Sequence, residues 1–194
     1  WRLLSWLGFF FSKLYFQLRT QFAAEFAMDV IAYLNPDVKA RIHDRIKEDL
    51  KRLEVRAGQG PVTIISHSLG TVIASDFVYD RQKHQDVQGF QLANFFTMGS
   101  PIALFALRYG GPEVFDDPIH MDIPGGEWIN ILDADDPIAY PLKSLNAVYD
   151  QAVSADQEVN TGLFGLSHTR YWKTLAVHQI IAKKLAKDWI KLNS

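Results

Sequence analysis

The spacing of apolar residues changes several times along this chain, and each change predicts an element. Over residues 3–22, Leu3, Leu4, Trp6, Leu7, Phe9, Phe10, Phe11, Leu14, Tyr15, Phe16, Leu18 and Phe22 fall mostly on one broad helical face. Ser12, Lys13, Gln17 and Arg19 interrupt that face, and its longest uncharged run, Leu3 to Ser12, is short of the about 20 apolar residues a bilayer span takes. The order of a signal peptide is also missing. The bland reading is a helix buried against the core or forming part of a lid. A lipid- or substrate-facing surface and a membrane-inserted element are the other two.

Asn35-Pro36 opens the next helix, with Asn to cap and Pro suited to the first position. Val38, Ile42, Ile46, Leu50 and Leu53 share one face to about Val55, and the charges around them read as a solvated surface. Gly58-Gln59-Gly60-Pro61 then breaks the helix. The period drops at Val62-Thr63-Ile64-Ile65, a short β-branched run that predicts a strand covered on both faces. From Leu69 it returns to three and four (Leu69, Val72, Ile73, Phe77), so a helix runs on to about His84. Phe90 to Met98 reads as a second strand ending in a Gly99-Ser100-Pro101 turn, and Trp128 to Asp133 as a third. A weaker strand is expected within Ala152 to Thr161, and a last amphipathic helix from Tyr171 to Leu192 carrying Leu175, His178, Ile181, Leu185 and Trp189 on one side. Between Gly110 and Glu127, three prolines and four glycines mark a long loop, the kind that often covers a site. Strands alternating with helices define an α/β protein around a mainly parallel sheet.

Composition narrows the chemistry. The 194 residues suit one domain, residues 1–194, with a helical part over 1–57 that is a candidate lid or cap and a core over 58–194. Interspersed charge summing to -2 gives no reason to expect a nucleic-acid partner. With no cysteine, disulfides and thiol chemistry are excluded, and the six histidines lack metal-ligand spacing, so no metal or cofactor is expected.

Ser68 stands where strand gives way to helix. A serine there is lifted out of the sheet, with free N–H groups of the helix start beside it, Leu69 among them, to stabilise an oxyanion. Such an elbow demands small residues two places before and after, here Ser66 and Gly70, a Ser-x-Ser-x-Gly pattern. An ordinary helix cap is the bland alternative. The acidic cluster Asp133 to Asp136 and His168 follow other predicted strands, so all three can converge at the carboxyl edge of one sheet. A serine needs a base, and a base needs a carboxylate to fix its tautomer; Asp136 and Asp135 both qualify for the acid, whereas Asp133 reads as a strand end. His67 reads as a neighbour shaping the pocket, His43, His84 and His120 as surface residues, His178 as packed in the last helix, and Ser100 as shaping its turn or touching substrate.

Four of these stretches together resemble the α/β-hydrolase superfamily, in its lipase and serine esterase branch. Ser66-His67-Ser68-Leu69-Gly70-Thr71 is similar to the elbow of lipases. Met98-Gly99-Ser100-Pro101 is similar to a turn in intracellular lipase and phospholipase-like members. Trp128-Ile129-Asn130, continuing to Asp136-Pro137-Ile138-Ala139, resembles their acid-bearing loop. His168-Thr169-Arg170-Tyr171-Trp172 resembles the His followed by Tyr-Trp before their last helix. The likeness covers about residues 60–192. It implies an α/β-hydrolase fold and cleavage of a carboxylic ester by Ser68, Asp136 and His168 through an acyl-enzyme, with Leu69 at the oxyanion and no cofactor. The family's early strands, and the loop that supplies a second oxyanion N–H, have no counterpart before residue 60. A non-catalytic module binding a lipid or protein partner, and an acyltransferase or thioesterase, are the competing readings. The expected partner is a small-molecule ester or lipid, with peripheral membrane contact through the N-terminal apolar segment. The sequence names no compartment; the cytoplasm is the favoured expectation.

Overall fold

Among the described residues, four parallel strands form the sheet of this α/β protein. The computed structural model describes residues 24, 26–58, 60–84, 90–108, 111, 117–162 and 166–193, so the apolar segment over 3–22 and the middle of the predicted long loop lie outside it. The chain divides into two units, one ending at Glu48 and the other running from Asp49 to Ser194, with the division inside helix α1, Pro36–Ala57. That helix starts where its sequence signal lies: Asn35 Oδ1 accepts the Asp37 N–H at 2.9 Å and the Val38 N–H at 3.4 Å. Its expected apolar face is only half-buried, and Leu53 is exposed. His43, expected at the surface, is instead buried, with its Nε2 3.3 Å from the Tyr33 hydroxyl, because Tyr33 supplies the polar partner an interior imidazole needs.

In the second unit the order is β1 (Val62–His67), α2 (Leu69–His84), β2 (Leu92–Met98), α3 (Ile102–Arg108), β3 (Glu127–Leu132), α4 (Ala147–Ala152), β4 (Ala155–Glu158), two single 3₁₀ turns (Ser167–Thr169 and Tyr171–Lys173) and α5 (Leu175–Leu192). The strands lie side by side in chain order. Register brings Ser66 beside Thr97, His67 beside Met98 and Met98 beside Ile131, so the ends of β1, β2 and β3 are level. Every residue of β2 is buried, as expected of a central parallel strand. β1 is mostly half-buried rather than covered on both faces, because among the described residues it is an edge of the sheet. Phe96, Met98, Ile129 and Ile131 pack with Val159, Tyr171, Val177 and Ile181 in one cluster, so the core reaches Tyr171 on the second 3₁₀ turn.

Two predicted features differ. The last helix begins at Leu175, after the two 3₁₀ turns, and it packs through Val177, Ile181 and the aliphatic stem of Lys184. Leu175 and Trp189 of the predicted stripe are exposed, and so is His178, whose Nε2 donates to the Trp172 carbonyl at 3.0 Å. The buried stripe is therefore rotated from the predicted one, because the buried Lys184 finds polar partners: its Nζ donates to the Gly125 carbonyl at 3.0 Å and to Asp188 at 2.5 Å. Helix α4 carries no long apolar period and was not expected. It is fixed locally by Asn146, whose Oδ1 caps Val148 and Tyr149. No described helix is long and apolar enough to cross a membrane.

Candidate active site

Past the level carboxyl ends of β1, β2 and β3 the side chains of Ser68, Asp136 and His168 come together. Ser68, directly after β1, has φ +56°, the only positive φ of a non-glycine residue among the described residues. This left-handed backbone is costly for a side chain with a Cβ. It is held because the Ser68 N–H donates to the Met98 carbonyl at 3.0 Å, while the Ser68 carbonyl accepts from Thr71 Oγ1 at 2.8 Å and from the Thr71 N–H at 2.9 Å. Leu69 and Gly70 open α2, where no preceding helical turn provides acceptors for their N–H groups.

His168 lies on the first 3₁₀ turn, 5% exposed, with Nε2 2.7 Å from Ser68 Oγ and Nδ1 2.8 Å from Asp136 Oδ2. A carboxylate only accepts, so Nδ1 carries the proton and Nε2 presents its lone pair to the serine O–H. Asp136 is buried and accepts two further bonds, from the Tyr171 hydroxyl at 2.9 Å and from the Ile138 N–H at 3.1 Å. Asp135 is exposed; its carbonyl accepts from Ser167 Oγ at 2.9 Å and so fastens the 3₁₀ turn to the acidic loop.

Residues with no predicted chemical role shape the loop. Asp133 accepts the Thr161 N–H at 2.6 Å, the Thr161 hydroxyl at 2.7 Å and the Asp135 N–H at 2.9 Å. Burial raises its pKa, but these donors outweigh burial and the net shift is downward. Tyr171 is fully buried and its hydroxyl accepts the Asp133 N–H at 2.9 Å while donating to Asp136. Burial first, then the adjacent Asp136 charge, push its pKa far above the ordinary phenol value, so it stays a donor. The Tyr-Trp after His168 was the only signal pointing to it.

Gly99, not Gly70, is the glycine this arrangement requires. A Cβ at Gly70 would meet nothing within 4 Å among the described residues. At Gly99, with φ +56°, a Cβ would come within 2.8 Å of Tyr171 Cε2, 3.0 Å of Asp136 Oδ2 and 3.3 Å of His168 Cε1. Gly99→Ala is expected to cost about 2–4 kcal/mol of stability from left-handed strain plus overpacking. Denaturant unfolding checks this, and an unchanged midpoint would refute it. Ser100, the next residue, is completely buried, its hydroxyl 2.8 Å from Thr71 Oγ1 and accepting the Ile102 N–H at 3.3 Å. Through Thr71, which bonds the Ser68 carbonyl, it is tied to the elbow. Ser66, two residues before Ser68, is buried, and its hydroxyl donates to the Phe96 carbonyl at 3.1 Å.

His67 is half-buried; its Nε2 is 2.7 Å from the His168 carbonyl, and its ring centroid is 4.8 Å from that of His168 and 5.5 Å from that of Tyr171. Leu166, Trp172 and Leu175, on or beside the two turns that carry His168 and Tyr171, are exposed. His84 and His120 are also exposed. Among the described residues no group of three or more His, Cys, Asp or Glu side chains could hold a metal.

No family model matches the chain, and no solved structure matches it. It is similar to a Schizosaccharomyces pombe protein named as a probable mitochondrial phospholipase, 28% identical over 145 residues. The aligned part is 61% of this chain and 19% of the yeast protein, so the chain spans about a fifth of that relative's length.

Proposed function

We propose that this protein is a serine hydrolase of α/β-hydrolase type that cleaves a carboxylic ester of a lipid or other acyl substrate through an acyl-enzyme, with residues 58–194 as its catalytic core. The observation that carries the reading is the unbroken chain Ser68 Oγ, His168 Nε2, His168 Nδ1, Asp136 Oδ2, built on a strained strand-to-helix elbow. Ser68 is the nucleophile, His168 takes its proton as Oγ attacks the carbonyl carbon, and Asp136 stabilises the imidazolium. The Leu69 N–H, at the positive end of α2, donates to the oxyanion. His168 then returns the proton to the leaving alkoxide, and water, activated by the same imidazole, releases the acid from Ser68.

A lipid substrate is favoured by two independent features: the exposed Leu166, Trp172 and Leu175 around the turns bearing His168, and the yeast relative's name. The test is treatment of the folded protein with a fluorophosphonate, followed by peptide mass mapping. A single phosphonyl adduct on Ser68 is expected. A folded protein that takes no adduct, or takes it on another residue, would sink the assignment and leave the non-catalytic reading.

A further inference from the structure

His67 occupies a position that couples the two reacting side chains. It is the last residue of β1 and the immediate neighbour of Ser68, and its imidazole reaches across to the main chain of the residue carrying the base. A carbonyl only accepts, so His67 Nε2 bears the hydrogen and donates it to the His168 oxygen at 2.7 Å. His168 itself sits in a three-residue 3₁₀ turn, an element with poor intrinsic hydrogen bonding and little stiffness of its own. Its side chain is held by Asp136 at one end and meets Ser68 at the other. The His67 bond adds a third point, on the backbone, and anchors it to the residue preceding the nucleophile. The Ser68-to-His168 distance is thus closed from both sides by one rigid strand end, and the face of the His168 ring rests near the His67 ring, with centroids 4.8 Å apart and planes inclined by 32°.

We infer that His67 is a positioning residue: as a neutral hydrogen-bond donor it fixes the backbone of His168 and so sets the geometry of proton transfer from Ser68. This rests on the assignment of Ser68 and His168 proposed above. The groups facing His67 are consistent with a neutral ring. Burial first, then the positive charge that His168 acquires, lower its pKa, while the bond to the His168 carbonyl and the Asp136 charge act the other way without reversing the sign. Tyr171, also against the ring, is held as the neutral phenol. A neutral His67 leaves room for charge on His168 during turnover, which a second cation at this distance would oppose.

The full chain is assayed as wild type, His67→Phe, His67→Gln and Ser68→Ala, reading kcat and KM on a p-nitrophenyl acyl ester, fluorophosphonate labelling and thermal melting. Gln places a donor nitrogen about as far along the side chain as His Nε2, whereas Phe keeps the ring without a donor. H67F is expected to lower kcat about tenfold with KM unchanged, the worth of about one net hydrogen bond, while H67Q stays within about threefold of wild type and both melt like wild type. Should H67F fail to fold, His67→Met supplies the donor-free comparison. Equal losses in H67Q and the donor-free variant, or wild-type kinetics without the donor, overturn the positioning role. Labelling that persists in S68A overturns the parent assignment instead, so the two failures are told apart.

Discussion

Ser68→Ala is expected to lower ester turnover by about ten-thousandfold or more while leaving KM and the melting temperature close to wild type, and the double variant with His168→Ala should be no slower than either single one. In the proposed mechanism the serine and the histidine act as one unit. His168 Nε2 lies 2.7 Å from the Ser68 hydroxyl, its partner in the proposed proton transfer, so once the hydroxyl is gone the proposed base would have nothing left to activate. What survives is binding and the Leu69 oxyanion donor, which is why residual rate is expected above the uncatalysed level. Relief of the left-handed strain is not expected to follow, because alanine has the same Cβ as serine at φ +56°. Steady-state kinetics on the single and double variants measure this. Losses that multiply would show that the two side chains work independently and would remove the ground for the mechanism.

Asp136→Asn is expected to cut kcat by about a thousandfold to ten-thousandfold, and Asp135→Asn to change it by less than about twofold. Asp136 Oδ2 accepts two hydrogens at once, from His168 Nδ1 at 2.8 Å and from the Tyr171 hydroxyl at 2.9 Å. An amide in its place loses the charge that stabilises the imidazolium. Its NH₂ group can also turn toward Nδ1 and favour the wrong tautomer, with the proton on Nε2 facing Ser68. Asp135 is exposed, and among the described residues no histidine is hydrogen-bonded to its carboxylate. The same steady-state assay on the two variants separates them: a larger loss from Asp135→Asn would move the acid to that position.

The sheet itself was legible because β-branched runs and the Gly and Pro breaks between them are local signals. β1, β2 and β3 fall within about two residues of their predicted bounds, and the start of α1 is written in Asn35-Pro36. Less local features were missed. The last helix begins at Leu175 and presents Leu175 and Trp189 to the outside, since which face is buried depends on Gly125 and Asp188, the partners that let Lys184 sit inside. His43 and His178 exchanged their expected surroundings: His43 is buried beside the Tyr33 hydroxyl, and His178 lies on the exposed side of the last helix.

By itself the sequence determined that a serine would stand at a strand-to-helix turn, that acidic residues and a histidine would follow later strands, and that these ends would share one edge of a parallel sheet. Those are consequences of period and chain order, which act over a few residues at a time. Only the tertiary structure decided which carboxylate turns toward His168, that Tyr171 braces it, that Gly99 leaves the space they occupy, and that His67 grips the backbone of a residue 101 positions away. Each of those depends on distances between segments remote in the chain, and a one-dimensional pattern carries no information about a gap of 3 Å between them.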